Sequence, residues 1–279
     1  MDYENATPVQ EIRVSELFNS PTADVTFLSS DHVLFRMHGS HLNVNSLGFA
    51  RVSEHTVMEP EPVRLEESSE VLELLFQFIE PPPESRDFRQ PAVDTLLPPL
   101  FFKLAEAAEK YVVYAATNVC TTYMRQCIEI HPLEILNYCA RHNYQNLADV
   151  AARSAVSHMR NLEEAVLKLT APGVLPRYLI YYSKWRGVAW KSIEIFQQRA
   201  PWRRCPYWSH ALILYRDQVE KDIMSFDQEP YEKLWAEVEE LKCGNGTCSC
   251  KAMPGKWPSW FCDIELNLLD IPGFSNISI

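Results

Sequence analysis

Between Ala23 and Phe49 the chain changes its hydrophobic period. Val25, Phe27 and Ser29 fall on one side and Asp24, Thr26 and Leu28 on the other, and the β-branched and aromatic content predicts a strand. Ser30-Asp31 is a turn pair able to bond its own backbone, and Val33 to Met37 forms a second strand, so a β-hairpin is predicted. Gly39 ends that strand. Ser40 is placed to cap a helix, and Leu42, Leu47 and Phe49 are placed to line one of its faces. Upstream, Val9 to Phe18 reads as a short amphipathic helix with Ile12, Leu17 and Phe18 apolar, closed by Asn19-Ser20-Pro21.

Downstream, Arg51 to Pro62 reads as an acidic loop and Val63-Arg64-Leu65 as a third strand. Ser68 then caps a helix whose Val71, Leu74, Leu75, Phe78 and Ile79 share one face, and Pro81-Pro82-Pro83 stops it. Glu84 to Pro91 is a polar loop. Pro98-Pro99 interrupts the next apolar run. Leu100 to Thr117 predicts two helices meeting near Tyr111, with Leu104, Ala107, Ala108 and Tyr111 as an apolar stripe, and Val119 to Ile130 continues as helix.

The second half is helical throughout most of its length. His131 caps a helix that has Pro132 at its first position. Leu133, Leu136, Ala140, Leu147, Val150, Ala151 and Ala155 are its apolar positions, and Asn143 to Gln145 divides it in two. Further helices are predicted from Asn161 to Leu169, Arg177 to Trp190, Trp208 to Phe226 (Leu212, Tyr215, Val219 and Ile223 in register) and Pro230 to Leu241. Gln197 to Tyr207 is a break, and Lys242 to Phe274 is irregular and rich in Cys and Trp.

An Asp opening the first strand, a hairpin, a second strand ending Phe-Arg-x-His and a short helix with Ser-x-x-Phe together resemble a BTB/POZ domain. The residues that carry this are Asp24, Phe35, Arg36, His38, Ser46 and Phe49. The runs VLELLFQFIEPPP and Leu-x-x-Ala-Ala-Glu-Lys-Tyr are close to the form found in mushroom-forming fungi, whose helical extension the second half also resembles. The resemblance covers about Leu17 to Ala189. Asn43, Asn45 and Ser53 depart from it, standing where relatives often place apolar residues beside a dimer surface.

The resemblance implies a protein–protein interaction module without an active site, associating with itself or with other BTB proteins. In many such proteins the module recruits a cullin-type ubiquitin ligase as an adaptor. The alternatives are a zinc-supported scaffold with a regulatory role in transcription and, last, an enzyme.

Composition narrows these classes. At 47% hydrophobic over 279 residues the chain can build a real core. It contains no apolar run long enough for a membrane helix and no secretory h-region near its start, so an intracellular location, cytoplasmic or nuclear, is expected. In such a compartment the 8 cysteines are expected as thiols or metal ligands. With 8 Gly there is little material for phosphate-cradling loops, and no nucleotide-binding, zincin or hydrolase motif is present. No small-molecule substrate or cofactor is implied. The net charge of −11 resides in Met1 to Ile130, which holds 20 acids and 9 bases, and this argues against nucleic acid as a partner of that half.

Cys243, Cys248, Cys250 and Cys262 cluster, with Cys205 outlying. Four thiolates suit a structural zinc, but the x4 and x spacings lie at or outside the usual knuckle range, so loop thiols are the other reading. Cys120, Cys127 and Cys139 sit on predicted helices and read as core thiols. Arg177 to Arg204 interleaves seven bases with Trp185, Trp190 and Trp202. Such a stretch can stack on nucleic acid, but no module signature accompanies the charge, and a bundle helix with buried aromatics and a solvated basic face is the expected reading. The expected architecture is α+β: a leader (1–19), a BTB/POZ core (20–127), an all-α extension (128–241) and a Cys/Trp-rich tail (242–279).

Overall fold

The computed structural model describes residues 11–49, 61–80, 89–158, 162–199, 206–221 and 271–278. By its internal contacts the chain separates into two units, Met1–Gln126 and Cys127–Ile279. The described residues are mixed α and β, with one small sheet, in keeping with an α+β class.

The sheet belongs to the first unit. Its strands are β1 (Arg13–Asn19), β2 (Val25–Leu28), β3 (Val33–Met37) and β4 (Val63–Arg64), in the order β1-β3-β2-β4. β2 and β3 form the predicted antiparallel hairpin, with Phe27 opposite Phe35, while β1 and β4 each join in parallel. β1 corrects the helix expected over Val9 to Phe18. Its partners on β3 run from Arg13↔Val33 and Val14↔Leu34 to Asn19↔Arg36, so the strand bulges. A bulge breaks the two-residue alternation, leaving Ser15 and Phe18 as the buried positions at a spacing that imitates a helical turn. The ring of Phe18 packs on Phe35 and Phe76 with centroids 6.2 and 5.8 Å away.

Four helices of this unit follow the same logic with corrections. α1 spans Gly39–Asn45 and starts two residues earlier than a Ser40 cap would allow: His38 holds the cap position. Leu42 is buried, but Leu47 lies past the helix and is 64% exposed, and Phe49, also past it, turns inward. α2 spans Ser69–Gln77, and its first turn is capped from the hairpin. Asp31 Oδ1 accepts the Ser69 amide at 2.7 Å and Oδ2 accepts the Ser69 hydroxyl at 2.6 Å, while the side chain of Ser68 makes no capping bond. The buried face of α2 is Val71, Leu72, Leu75 and Phe76, continuing to Ile79; Leu74, expected in the stripe, is only half-buried. α3 (Pro98–Lys110) opens on the Pro pair that was expected to interrupt it, since Pro fits a first turn whose amides have no intrahelical partner. α4 (Tyr114–Gln126) follows a break at which Val112 adopts φ 51°. It ends short of Ile130.

The second unit is helical: α5 (Pro132–Arg141), α6 (Gln145–His158), α7 (Leu162–Lys168), α8 (Val174–Arg199) and α9 (Pro206–Lys221). His131 is the cap of α5, and Asn143 at φ 62° makes the break before α6. Val150 faces out at 54% exposure and Ala140 is half-buried, so neither belongs to the α5–α6 core. α8 runs on through Gln197, where a break was expected. A 3-10 turn, Phe274–Asn276, docks on this unit: the Ser275 amide and hydroxyl donate to Asp149 at 2.7 and 3.0 Å, and Phe274 is 1% exposed. Cys120, Cys127 and Cys139 are buried and form no disulfide. No helix among the described residues is long and apolar enough to cross a membrane. Ser53, Asn161, Cys205, Ile223, the helix expected over Pro230 to Leu241 and the Cys243, Cys248, Cys250 and Cys262 cluster lie outside the described residues.

Candidate functional site

Five of the six signature residues act on the region where the hairpin, α1, α2 and the α3–α4 break meet. Asp24 stands before β2, and its Oδ1 accepts the Gly39 amide at 2.6 Å, closing the first turn of α1. Phe35 is fully buried with its ring 5.3 Å from Phe76, and Phe76 also meets Phe18, Phe27 and Phe49. Ser46 donates its hydroxyl to the Tyr111 carbonyl at 2.6 Å and accepts the Gly48 amide at 3.2 Å. Phe49 stacks flat on Tyr111, with centroids 4.3 Å apart. Gly48 has to be small here, because a Cβ would overlap the backbone of Tyr111. Arg36, the sixth, is exposed on β3.

Tyr111 passes this packing on to charge. Its hydroxyl donates to Glu67 Oε2 at 2.5 Å, and Lys110 Nζ meets Glu67 Oε1 at 2.8 Å and Glu66 at 2.9 Å. Desolvation acts to raise the pKa of Glu67, yet the bonds from Lys110 and Tyr111 outweigh it and hold the carboxyl below its ordinary range. Burial, and then the Glu67 carboxylate, push the Tyr111 hydroxyl well up. The three groups thus form a locked ion pair that ties the β4–α2 connection to the α3–α4 break.

His38 sits where β3 becomes α1, and two residues that the sequence reading did not single out join it. Its Nδ1 lies 2.6 Å from Glu80 Oε1, its backbone amide donates to Glu80 Oε2 at 2.9 Å, and its Nε2 lies 2.9 Å from Thr22 Oγ1. His41 Nδ1, one turn on, is 3.4 Å from Glu80 Oε2. The side chain of Glu80 is only 7% exposed, against 29% for His38 and 48% for His41. Ligand atoms from all three lie within 4.8 Å of one another, an arrangement able to hold a metal ion. The His-x-x-His spacing was visible in the sequence. Glu80, 42 residues away, carried no local signal.

Exposed apolar side chains of the first unit include Ile12, Val14 and Leu17 at β1 and Val44 and Leu47 at and after α1, with Val63 on β4 and Leu97 and Tyr114 elsewhere. β1 is also an end strand of the sheet. Asn45, one of the departures from the BTB pattern, has a structural role, its amide donating to the carbonyls of His41 and Ile79 at 3.2 and 2.9 Å. In the second unit the aromatic–basic stretch is partly satisfied from within. Trp185 is buried under Arg153, with 5.5 Å from guanidinium to ring, and Arg216 lies 5.7 Å over Trp190. Neither ring is free to stack on a base without displacing an arginine. Comparison with known proteins finds no matching family model, no matching curated protein and no matching solved structure.

Proposed function

We propose that the chain is a protein–protein association module of the BTB/POZ type, acting by pairing with a second copy or with a like module. The observation that carries this reading is β1, an end strand on which Val14 and Leu17 are each 41% exposed, with Ile12 just before it 54% exposed. An end strand offers unpaired backbone groups, and apolar side chains along it supply the dry area that a stable contact needs. The convergence of Asp24, Phe35, His38, Ser46 and Phe49 on one junction is consistent with it. The acidic first half sets the terms of association, because two copies repel at low salt and ions screen that repulsion.

Sedimentation of the full chain at rising concentration and salt is the test. A weak dimer that tightens with salt is expected, and Leu17→Glu should abolish it while leaving the fold intact. A monomer under every condition refutes the reading. Recruitment of a cullin-type ligase is the adaptor form of the same proposal, and recovery of a cullin with the tagged protein would separate it from a transcriptional scaffold, whose partners would be chromatin factors.

A further inference from the structure

We propose that His38, His41 and Glu80 form a binding site for a divalent transition metal of the zinc class, independent of the cysteine cluster. Two imidazoles and a carboxylate are the donor set that zinc and its neighbours prefer, and nitrogen donors disfavour calcium and magnesium. The donors are near enough to close on an ion with a small adjustment, one ligand atom from each residue lying within 4.8 Å of the others and the two imidazoles meeting different oxygens of Glu80. Ligand atoms about 2.0–2.2 Å from zinc stand roughly 3.3–3.5 Å from one another, and His41 Nδ1 to Glu80 Oε2 is 3.4 Å. His38 Nδ1 to Glu80 Oε1, at 2.6 Å, is a hydrogen-bond length. Exchanging the proton between them for an ion lengthens that contact by less than about 1 Å, and the released proton passes to solvent.

Three further features fit a site rather than a chance cluster. The outer nitrogen of His38 is held by Thr22 Oγ1 at 2.9 Å, with Ser20 Oγ at 3.4 Å, which fixes the ring and leaves Nδ1 for the ion. Glu80 is fixed through its bond from the His38 amide and is almost fully buried, so its carboxyl is held facing the two imidazoles. His41 is half-exposed, giving the ion a path in and leaving a fourth position for water or for a ligand from a partner. A bound ion would tie the first turn of α1 to the residues just after α2.

Cobalt is the probe, because its spectrum separates the two candidate sites in the intact chain: thiolate ligands give intense near-ultraviolet charge-transfer absorption, and a nitrogen–oxygen site does not. Cobalt and zinc are titrated into the full chain, and into a full chain carrying Ser at Cys243, Cys248, Cys250 and Cys262. Both are expected to bind one ion at a site without thiolate absorption. His41→Ala should weaken that binding by at least about 100-fold, and Glu80→Gln should do the same. Because imidazole must be neutral to ligate, affinity should fall as the solution is acidified. His41 lies on an exposed surface, so His41→Ala is expected to keep its circular dichroism. Ions bound only with thiolate absorption, no ion bound by the Ser-substituted chain, or undiminished affinity in both His41→Ala and Glu80→Gln would each overturn the assignment.

Discussion

Phe76 and Leu74 exchange the roles that the hydrophobic pattern assigns them, and this can be measured. The pattern puts Leu74 in the core stripe of α2 and leaves Phe76 off it. In the structure Phe76 is 0% exposed, with four aromatic rings within 5.3–6.0 Å, and Leu74 is only half-buried. Truncating a fully buried Phe to Ala removes its transfer energy and leaves a cavity, at a cost of about 3–5 kcal/mol. The half-buried Leu74→Ala should cost about 1 kcal/mol. Tryptophan fluorescence is blind to this, since all seven Trp lie in the second unit. Cys120 is the better reporter: it is fully buried on α4, and desolvation, aided by Glu109, pushes its thiol up to about 12, so it reacts only when that region opens. Its labelling rate, read by mass spectrometry under native conditions, follows the open population when reclosing is fast. Phe76→Ala should accelerate labelling by roughly two to nearly four orders of magnitude, and Leu74→Ala by about tenfold or less. Equal acceleration by the two, or a larger effect of Leu74→Ala, would refute this account of the core.

Three other outcomes are expected. Gly48→Ala should destabilise the first unit by about 1–3 kcal/mol, because the new methyl meets the Tyr111 backbone; a neutral result in thermal unfolding would contradict the close approach. For Asp31, desolvation acts upward but the bonds from Ser69 and Ser29 win and hold its carboxyl down at about 2. Its contribution is therefore complete above the unfolded value of 3.8 and is lost as pH falls towards 2. Asp31→Ala should cost about 1 kcal/mol at neutral pH and flatten the acid limb of the stability curve, and an unchanged limb counts against the cap. Phe274→Ala should cost about 3 kcal/mol or more in the second unit, and there tryptophan fluorescence is the suitable readout; an unmoved urea midpoint would mean the turn is not docked as described.

What could be read from the sequence was local. The hairpin was legible because β2 and β3 are short runs rich in β-branched, aromatic and aliphatic residues and are joined by a short polar turn. β1 was not, because its partner is non-local and its bulge replaces the period of two. α2 was legible as a helix but not in its facing: apolar residues surround Val71 to Ile79 so widely that a stripe can be drawn in more than one way, and only the rings of Phe18, Phe27, Phe35 and Phe49 fix Phe76 inward. The site shows the same division. His38 was found through its place at the end of a strand, whereas Glu80 is brought to it by the packing of α2, which no short-range pattern encodes. Asp31 was read as a turn former serving its own backbone; its capping of α2 depends on where Ser69 lies in space.

The docking of Ser275 on Asp149 places a delay in the synthesis of this protein. The two residues are 126 apart, and a ribosome adding about 5–20 residues per second needs roughly 6–25 s to cover that distance. Throughout that interval α6 has been made but the Phe274 turn that covers it has not. The second unit therefore reaches its final packing only after Phe274 and Ser275 have emerged, and until then the Asp149 carboxylate and the apolar seat of Phe274 stand open to whatever in the cell binds a nascent helical surface.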